Sequence, residues 1–432
     1  MNHMSFYFGV RETISFDFWQ THNGTEMFLS CLGIVAICFV HQTLTFIRAL
    51  WANRNKQKNI GARKRLSGPV ISFAATDCLI FFVELFIAYL LMLIFMTYNV
   101  YLGLAILVGE ALGRFFYLSI FPEMSLGKII DVTNLTSLIK KGIINRDGVR
   151  ILQHTYVNTD KPDWKAFEKE KYAKFEQLMK EPSPSLNDYK AGHIPGSIHV
   201  DVNIAMYPRQ YERYGYYPPR VFEQYVQLLG INKDEHLIFC GRDRLSGMLG
   251  VSKLAWLFKS YGHEKVSLLD GGLDRWQAEG QPLETGIFEI GKHGNWMAKD
   301  CINKYNIRFE ELYKIDENNK KMIDQPDKVN FLDCRVRDMF HNVDGKELEF
   351  FIKAGINLPG HIEGHKNAPI PEVFAKDGKL KTKSDLKDWL ISCGYKPESP
   401  TVTVCIMGIQ AALLAYVMDD ALPNSKPRLY NG

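Results

Sequence analysis

From Met27 to Ile47 the chain runs for 21 residues without a formal charge, enough to cross a hydrocarbon core of roughly 30 Å as a helix. This part of the chain therefore reads as a membrane span. Val70 to Phe121 is a second apolar stretch, whose only charges are Asp77, Glu84, Glu110 and Arg114. It is too long for one span and suits two, with Thr97-Tyr98-Asn99 as the turn. The expected spans are 27–49, 76–96 and 100–121. A mixed segment without a basic leader precedes the first, which argues against a cleavable signal peptide.

Three spans put the two ends on opposite sides of the bilayer. Arg54, Lys56, Lys58, Arg63, Lys64 and Arg65 crowd the first loop with no acidic residue nearby, and the positive-inside tendency places that loop in the cytosol. The expected topology is multi-pass, with the N-terminus outside and everything after the third span cytosolic. The sequon Asn23-Gly24-Thr25 falls on the outer side.

In the second span Met92 and Met96 are one helical turn apart, so their thioethers would stack about 6 Å apart along one face. Thioether sulfur binds Cu(I) and neglects hard ions, so such a pair could line a copper path. Glu84, eight residues earlier, is expected to face the same path. Gly109 and Gly113 form a G-x-x-x-G pair in the third span, a pattern that lets helix backbones approach closely. Taken alone, the methionines also suit flexible apolar filler, and the glycines a small-residue pair common in membrane helices.

Near Pro122 the composition changes to that of a charged α/β protein, so the overall net charge of +4 says little about partners, and no nucleic-acid surface is expected. The eight cysteines are spread singly: Cys31, Cys38 and Cys78 in apolar runs, Cys240, Cys301, Cys334, Cys393 and Cys405 after Pro122. That spacing suggests neither a disulfide framework nor a zinc site.

The second half carries an internal echo. Gly192-His193-Ile194-Pro195-Gly196 recurs as Gly360-His361-Ile362-Glu363-Gly364; His193 precedes Cys240 by 47 positions and His361 precedes Cys405 by 44. Each cysteine closes a short apolar run before a helical pattern, as two copies of one unit would. Short buried strands alternating with amphipathic segments imply a parallel sheet covered by helices on both faces. A cysteine between such a strand and a helix N-terminus sits where α/β sheets bind ligands, and the loop amides favour its thiolate over the usual thiol pKa of about 8.5. Cys240, with Arg242 and Arg244 nearby, is the rival thiol. His193 and His361 read as turn-stabilising residues rather than acid/base groups. A lone strand-end cysteine can equally be a small buried apolar residue.

Two resemblances cover the chain. Tyr89 to Asn99, Gly109 with Gly113, and the start Met1-Asn2-His3-Met4-Ser5-Phe6 resemble the high-affinity copper transporter family over residues 1–122. That resemblance implies a homotrimer in which Met92 and Met96 each form a three-sulfur ring, Cu(I) as the transported ion, and Met1, His3 and Met4 as outer copper collectors. The outer segment has few methionines, and the Cys/His tail that members often carry is absent.

Cys405-Ile406-Met407-Gly408-Ile409-Gln410-Ala411 has the Cys-x-x-Gly-x-x-Ala frame of the rhodanese active-site loop. With Asp333-Cys334-Arg335, Gly360 to Gly364 and Ser267 to Trp276, it makes residues 123–432 similar to a two-domain thiosulfate or 3-mercaptopyruvate sulfurtransferase. The resemblance implies Cys405 as nucleophile and persulfide carrier, Gly408 and Ala411 as loop frame, Arg335 and Arg337 as substrate-binding residues, a sulfur donor and a thiol acceptor as partners, and no cofactor. Ile406 and Met407 stand where members carry basic residues or a Gly-Ser pair, Met339 where they carry a second arginine, and Asn203 where many carry an acid.

The expected fold class is a three-helix transmembrane domain (1–122) followed by two rhodanese-like α/β domains. These are 123–290, non-catalytic, and 326–432, truncated at its C-terminus, with a linker at 291–325. The leading functional reading is Cu(I) transport with a cytosolic sulfurtransferase module. The alternatives are a membrane-tethered sulfurtransferase as the main role, or a module that accepts Cu(I) through Cys405 and Met407.

Overall fold

The computed structural model describes residues 6–59, 68–120, 126–146, 148–341 and 360–432. Met1, His3, Met4, Arg63, Lys64 and Arg65 lie outside the described residues. The chain divides into two compact units, Met1–Ser125 and Leu126–Gly432.

The first unit opens with an antiparallel pair, β1 (Glu12–Thr13) and β2 (Gln20–Thr21), and continues as three helices, α1 (Gly24–Asn59), α2 (Gly68–Phe95) and α3 (Val100–Ile120). Asn23 closes the start of α1: its Oδ1 accepts from the Glu26 N–H at 2.9 Å, and Glu26 reaches back to the His22 N–H at 2.7 Å. The sequon side chain is therefore engaged as a helix cap. Segments Gly24–Arg48 and Cys78–Phe95 are long and apolar enough to cross a membrane. α1 and α2 both extend beyond the expected spans, reaching Asn59 and beginning at Gly68.

α1 packs against both other helices, around Ile34, Cys38, Leu91, Ile94, Leu102 and Ala105. Gly109 and Gly113 lie on the α3 face that meets α1. A Cβ at Gly109 would stand 2.8 Å from Cys38 Cβ and 3.1 Å from the Val35 Cα, and one at Gly113 would stand 3.0 Å from Gln42 Cγ. The close approach expected of the glycine pair is thus between two helices of one chain. At the other end, Tyr7 donates to Tyr98 O and accepts from the Val100 N–H, both at 3.1 Å, so residues 6–9 are tied to the α2–α3 turn.

The second unit contains two five-stranded, wholly parallel sheets. In chain order, the first holds β3 (Ile129–Ile130), β4 (Val149–Thr155), β5 (Ile198–His199), β6 (His236–Arg242) and β7 (Val266–Leu269). The second holds β8 (Asn306–Ile307), β9 (Asn330–Asp333), β10 (Lys366–Asn367), β11 (Thr401–Val404) and β12 (Arg428–Tyr430). Across the sheets the orders are β3-β7-β6-β4-β5 and β8-β12-β11-β9-β10, the same topology twice, with the fourth strand of each set at the centre. β8 falls inside the stretch read as a linker, because the second sheet takes its edge strand from there.

Helices α4 (Leu249–Ser260) and α5 (Ile409–Ala421) pack against each other and carry one hydrophobic core through both sheets. The Tyr416 hydroxyl on α5 donates across the seam to Lys128 O and Val266 O, both at 3.0 Å. The two α/β halves therefore share a core.

Gly109→Val should cost about 1–3 kcal/mol of stability, because Cys38 and the α1 backbone leave no room for the added atoms. Gly103→Ala meets only the Phe95 ring at 3.4 Å and should be nearly neutral. Thermal unfolding of the full chain in detergent compares the two.

Candidate functional site

On α2 the residues turned toward α1 and α3 include Leu91 and Ile94. Tyr89, Met92, Leu93 and Met96 occupy the face that the chain itself leaves uncovered; Met92 is 47% and Met96 55% exposed. The Met96 N–H donates to Met92 O at 3.0 Å, so the two thioethers follow one another along one helical turn. Glu84 does not share that face. Its carboxylate takes Arg48 at 3.1 Å and the Thr45 hydroxyl at 2.9 Å, both on α1. Eight residues make 2.2 turns, leaving Glu84 about 80° away from Met92, and the uncompensated charge settles on the nearest cation. Glu110 is likewise paired, with His41 at 3.0 Å and with Gln42.

The second site begins where β11 ends. Cys405 is the next residue, half-buried, followed by Ile406, Met407 and Gly408 before α5 starts. Gly408 has φ +68° at the helix N-cap, a left-handed conformation that L residues rarely adopt, and an added Cβ would strike Asn431 O and Lys253 Nζ, each at 2.8 Å. The N–H groups of Ile406, Met407 and Gly408 donate to no acceptor among the described residues. Unpaired amides at the N-terminus of a 13-residue helix form a cradle for a sulfur-centred anion. Ala411 lies on the buried side of α5, where its carbonyl accepts from the Thr403 hydroxyl at 3.0 Å and ties helix to strand.

Several neighbours of Cys405 escaped the sequence reading. Lys253, fully buried in α4, sends its Nζ to Gly408 O at 3.4 Å and to Asn431 Oδ1. Burial lowers its pKa to about 7, against the pull of Cys405 and Glu212, which favour the charged form. Burial likewise pushes the Tyr156 phenol up, with Tyr214 and Cys405 adding to the effect and Arg213 opposing it. Arg213 is spent on Asp160 O, Thr159 and Asn203. The available signal for Lys253 was its place in an otherwise apolar helix, where a cation must find a partner.

Cys334 stands beside Cys405 on the neighbouring strand: its N–H donates to Val404 O at 2.9 Å, and both cysteines face the shared core. Burial raises the Cys334 thiol well above its ordinary value, with the Cys405 and Asp333 charges adding to the effect.

Cys240 is not the counterpart of Cys405. It lies within β6 rather than beyond its end, is fully buried against Leu273 and Trp276, and has its thiol pushed up by burial despite Arg242. Side chains alternate along a strand, so the position sharing Cys405's face is Gly241. A Cβ there would sit 2.1 Å from Gly247 O. The loop that follows is filled from within. Asp243 Oδ1 accepts from the Leu245 N–H and Oδ2 from the Leu249 N–H, both at 2.8 Å, and burial raises this carboxyl to about 6. Arg242 is held by Asp188 at 2.7 Å and Asp274 at 2.9 Å.

Both expected substrate-binding arginines are held by carboxylates. Arg335 is buried against Asp333, with contacts of 2.6–3.0 Å, and donates to Gly360 O. Arg337 is exposed and paired with Glu372 at 2.7 and 2.8 Å. Met339 is buried. Asn203 bridges Asp201 and Arg213. His193 stacks on Tyr189 at 4.1 Å and bonds its carbonyl at 3.0 Å, while His361 does the same with Phe340 at 3.8 and 2.9 Å. Both histidines brace turns.

Residues 4–117 match the Ctr copper transporter family and residues 182–279 the rhodanese-like domain. A candidate thiosulfate sulfurtransferase of Caenorhabditis elegans, mpst-1, is 47% identical over 311 residues, 72% of this chain and 93% of that protein. The 3-mercaptopyruvate sulfurtransferase of Escherichia coli K12 is 28% identical over 57% of this chain and 80% of its own length. Among solved structures, Escherichia coli SseA superposes with a TM-score of 0.52 at 21% identity, over 71% of this chain and 98% of that one.

Breaking the two ion pairs should cost very different amounts. Asp333→Asn leaves a buried guanidinium uncompensated and should cost about 3–5 kcal/mol, whereas Arg337→Ala on the surface should cost about 0–1 kcal/mol. Denaturant midpoints of the full chain measure both.

Proposed function

The chain belongs to the thiosulfate/3-mercaptopyruvate sulfurtransferase family and carries a Ctr copper transporter family segment ahead of that module, and from this membership we propose that it joins Cu(I) transport to sulfur transfer at Cys405. The observation that carries the enzymatic reading is the position of Cys405, just beyond a central strand and against unpaired loop amides at the N-terminus of α5. Its thiolate attacks the outer sulfur of thiosulfate or the sulfur of 3-mercaptopyruvate. The S–S or C–S bond breaks and sulfite or the enolate of pyruvate departs, leaving a persulfide whose terminal sulfur an acceptor thiol then removes. The loop N–H groups stabilise the anionic sulfur in both steps, and no cofactor enters.

The uncovered face of α2 supports the transport reading. Met92 and Met96 point away from their own chain, so a threefold arrangement would turn them into two sulfur rings around a Cu(I) path, with Gly109 and Gly113 fixing α3 on α1 behind them. Phe6 packs on Phe95 and Tyr98, at the end of α2 next to Met96; on this reading Met1, His3 and Met4, which lie outside the described residues, collect copper before entry. On this reading the protein is a multi-pass homotrimer with its N-terminus outside and the α/β module cytosolic.

A second reading, Cu(I) held by the module itself, draws on one observation: Cys334 adds a third sulfur beside Cys405 and Met407 on the same face. Competition with a Cu(I) chelator, before and after Cys405→Ser, tests it.

Met96→Ile keeps the helix apolar but removes one sulfur per chain, and Cu(I) uptake by expressing cells should fall to background; unchanged uptake would overturn the pore. Cys405→Ser should abolish persulfide formation from thiosulfate and 3-mercaptopyruvate, read by mass spectrometry, while leaving uptake intact.

A further inference from the structure

Lys253 lies outside every motif that identifies the module, yet it touches the loop that carries the nucleophile. Its Nζ reaches Gly408 O at 3.4 Å and Asn431 Oδ1, and Asn431 Nδ2 in turn donates to Tyr214 O. Residues 155 positions apart are thereby joined through one ammonium group buried to zero exposure.

A trans peptide unit is planar, with its C=O and N–H pointing in opposite directions. The Gly408 carbonyl belongs to the same peptide unit as the Ile409 N–H. That carbonyl also accepts the first helical bond, from the Ala412 N–H at 3.2 Å, and the ammonium adds a second hold on the same peptide, which keeps the Ile409 N–H facing back toward the loop. The same ammonium is the fixed positive charge beneath the loop, which Ile406 and Met407 do not supply.

We propose that Lys253 is the positioning residue of the Cys405 loop, orienting the Gly408–Ile409 peptide and stabilising the thiolate and the persulfide from the neighbouring half of the fold. The inference rests on the sulfurtransferase reading for its role in the reaction, though not for its effect on the thiol. The groups facing the ammonium are Cys405 on the loop after β11, Glu212 on the loop before β6, and the Tyr216 ring at 5.9 Å. On the neighbouring turns of α4, His154 packs at Gly250 and Asp419 pairs with Lys259, so neither neutralises Lys253 directly. With a pKa lowered to about 7 by burial, Lys253 loses its proton as pH rises through neutrality, and the loop then loses its cation.

The test uses the full-length chain in detergent and two readouts. The first is the rate of Cys405 alkylation by iodoacetamide as a function of pH. Lys253→Met should slow alkylation several-fold at pH 6, where the native ammonium is charged, and leave the rate at pH 8.5, where native Lys253 is neutral, nearly unchanged. A lysine that served only to fill the core would change the rate by the same factor at both pH values. The second is persulfide formation with thiosulfate. It should fall about tenfold in Lys253→Met, less than the roughly hundredfold cost of deleting an oxyanion donor outright. The alkaline decline near pH 7 in the native chain should disappear in Lys253→Arg, whose charge persists.

An equal change in alkylation rate at pH 6 and pH 8.5 in Lys253→Met, or no change at either, would overturn the proposal. Should that variant fail to fold, identical pH profiles for the native chain and Lys253→Arg would overturn it equally. If the native chain forms no persulfide, the sulfurtransferase reading fails, and the alkylation rates at the two pH values still decide whether Lys253 governs the thiol.

Discussion

α4 is buried along its whole length, lysines included, and α5 along nearly all of its own. A helix apolar on every side belongs inside a core, and here each helix supplies what the other must cover. The seam between them determines much else in the α/β unit. Lys259 can be buried because Asp419 on α5 meets it, and Lys128 before β3 joins the same carboxylate. Burial lowers the Lys259 pKa, while the paired Asp419 is held below its ordinary value despite its own burial. The coupled charges make separation of the sheets costly, since each would expose an apolar helix and strand a partner.

The repeated strand order does not produce two equivalent sites. At the centre of the first sheet the strand continues past Cys240, Gly241 takes the position facing the seam, and the Asp243 carboxylate accepts the N–H groups of the following loop. An anion supplied from within already fills that cradle. In the second sheet the strand stops at Val404, and the loop amides remain open around Cys405. One residue of strand phase and one internal carboxylate separate a loop filled from within from one whose amides stay open.

Local patterns in the sequence carried the features that depend on neighbours a few residues apart. The apolar runs marked the helices of the first unit, the i, i+4 methionines kept one face, and the Cys405 to Ala411 frame marked a strand-to-helix loop. Features set by distant partners were not legible. Glu84 turns to α1 because Arg48 waits there, which no spacing within α2 discloses. Cys240 was matched to Cys405 by similar intervals from the Gly-His-Ile motifs, but such counting cannot resolve a single-residue shift, and in a strand that shift reverses the face. Arg337 meets Glu372 from 35 positions away, a pairing that no local spacing shows. Lys253 meets its loop only after both halves have packed.

The placement of positive charge has a consequence for how the Cys405 site treats an anionic substrate. A cation on the loop surface attracts the anion from solvent and holds it before reaction. This site has Ile406 and Met407 at that level, Arg213 committed to Asn203 and the 159–160 backbone region, and its nearest buried ammonium below the loop. Charge at that depth acts weakly on a solvated ligand and strongly on the sulfur already seated among the amides, where water is scarce. If Cys405 is the sulfur carrier proposed above, capture and chemistry are uncoupled there: donor binding is loose, while the thiolate and persulfide keep their electrostatic support. Binding energy withheld from the ground state does not slow the step that breaks the donor's sulfur bond, because rate follows the stabilisation gained only as that bond breaks.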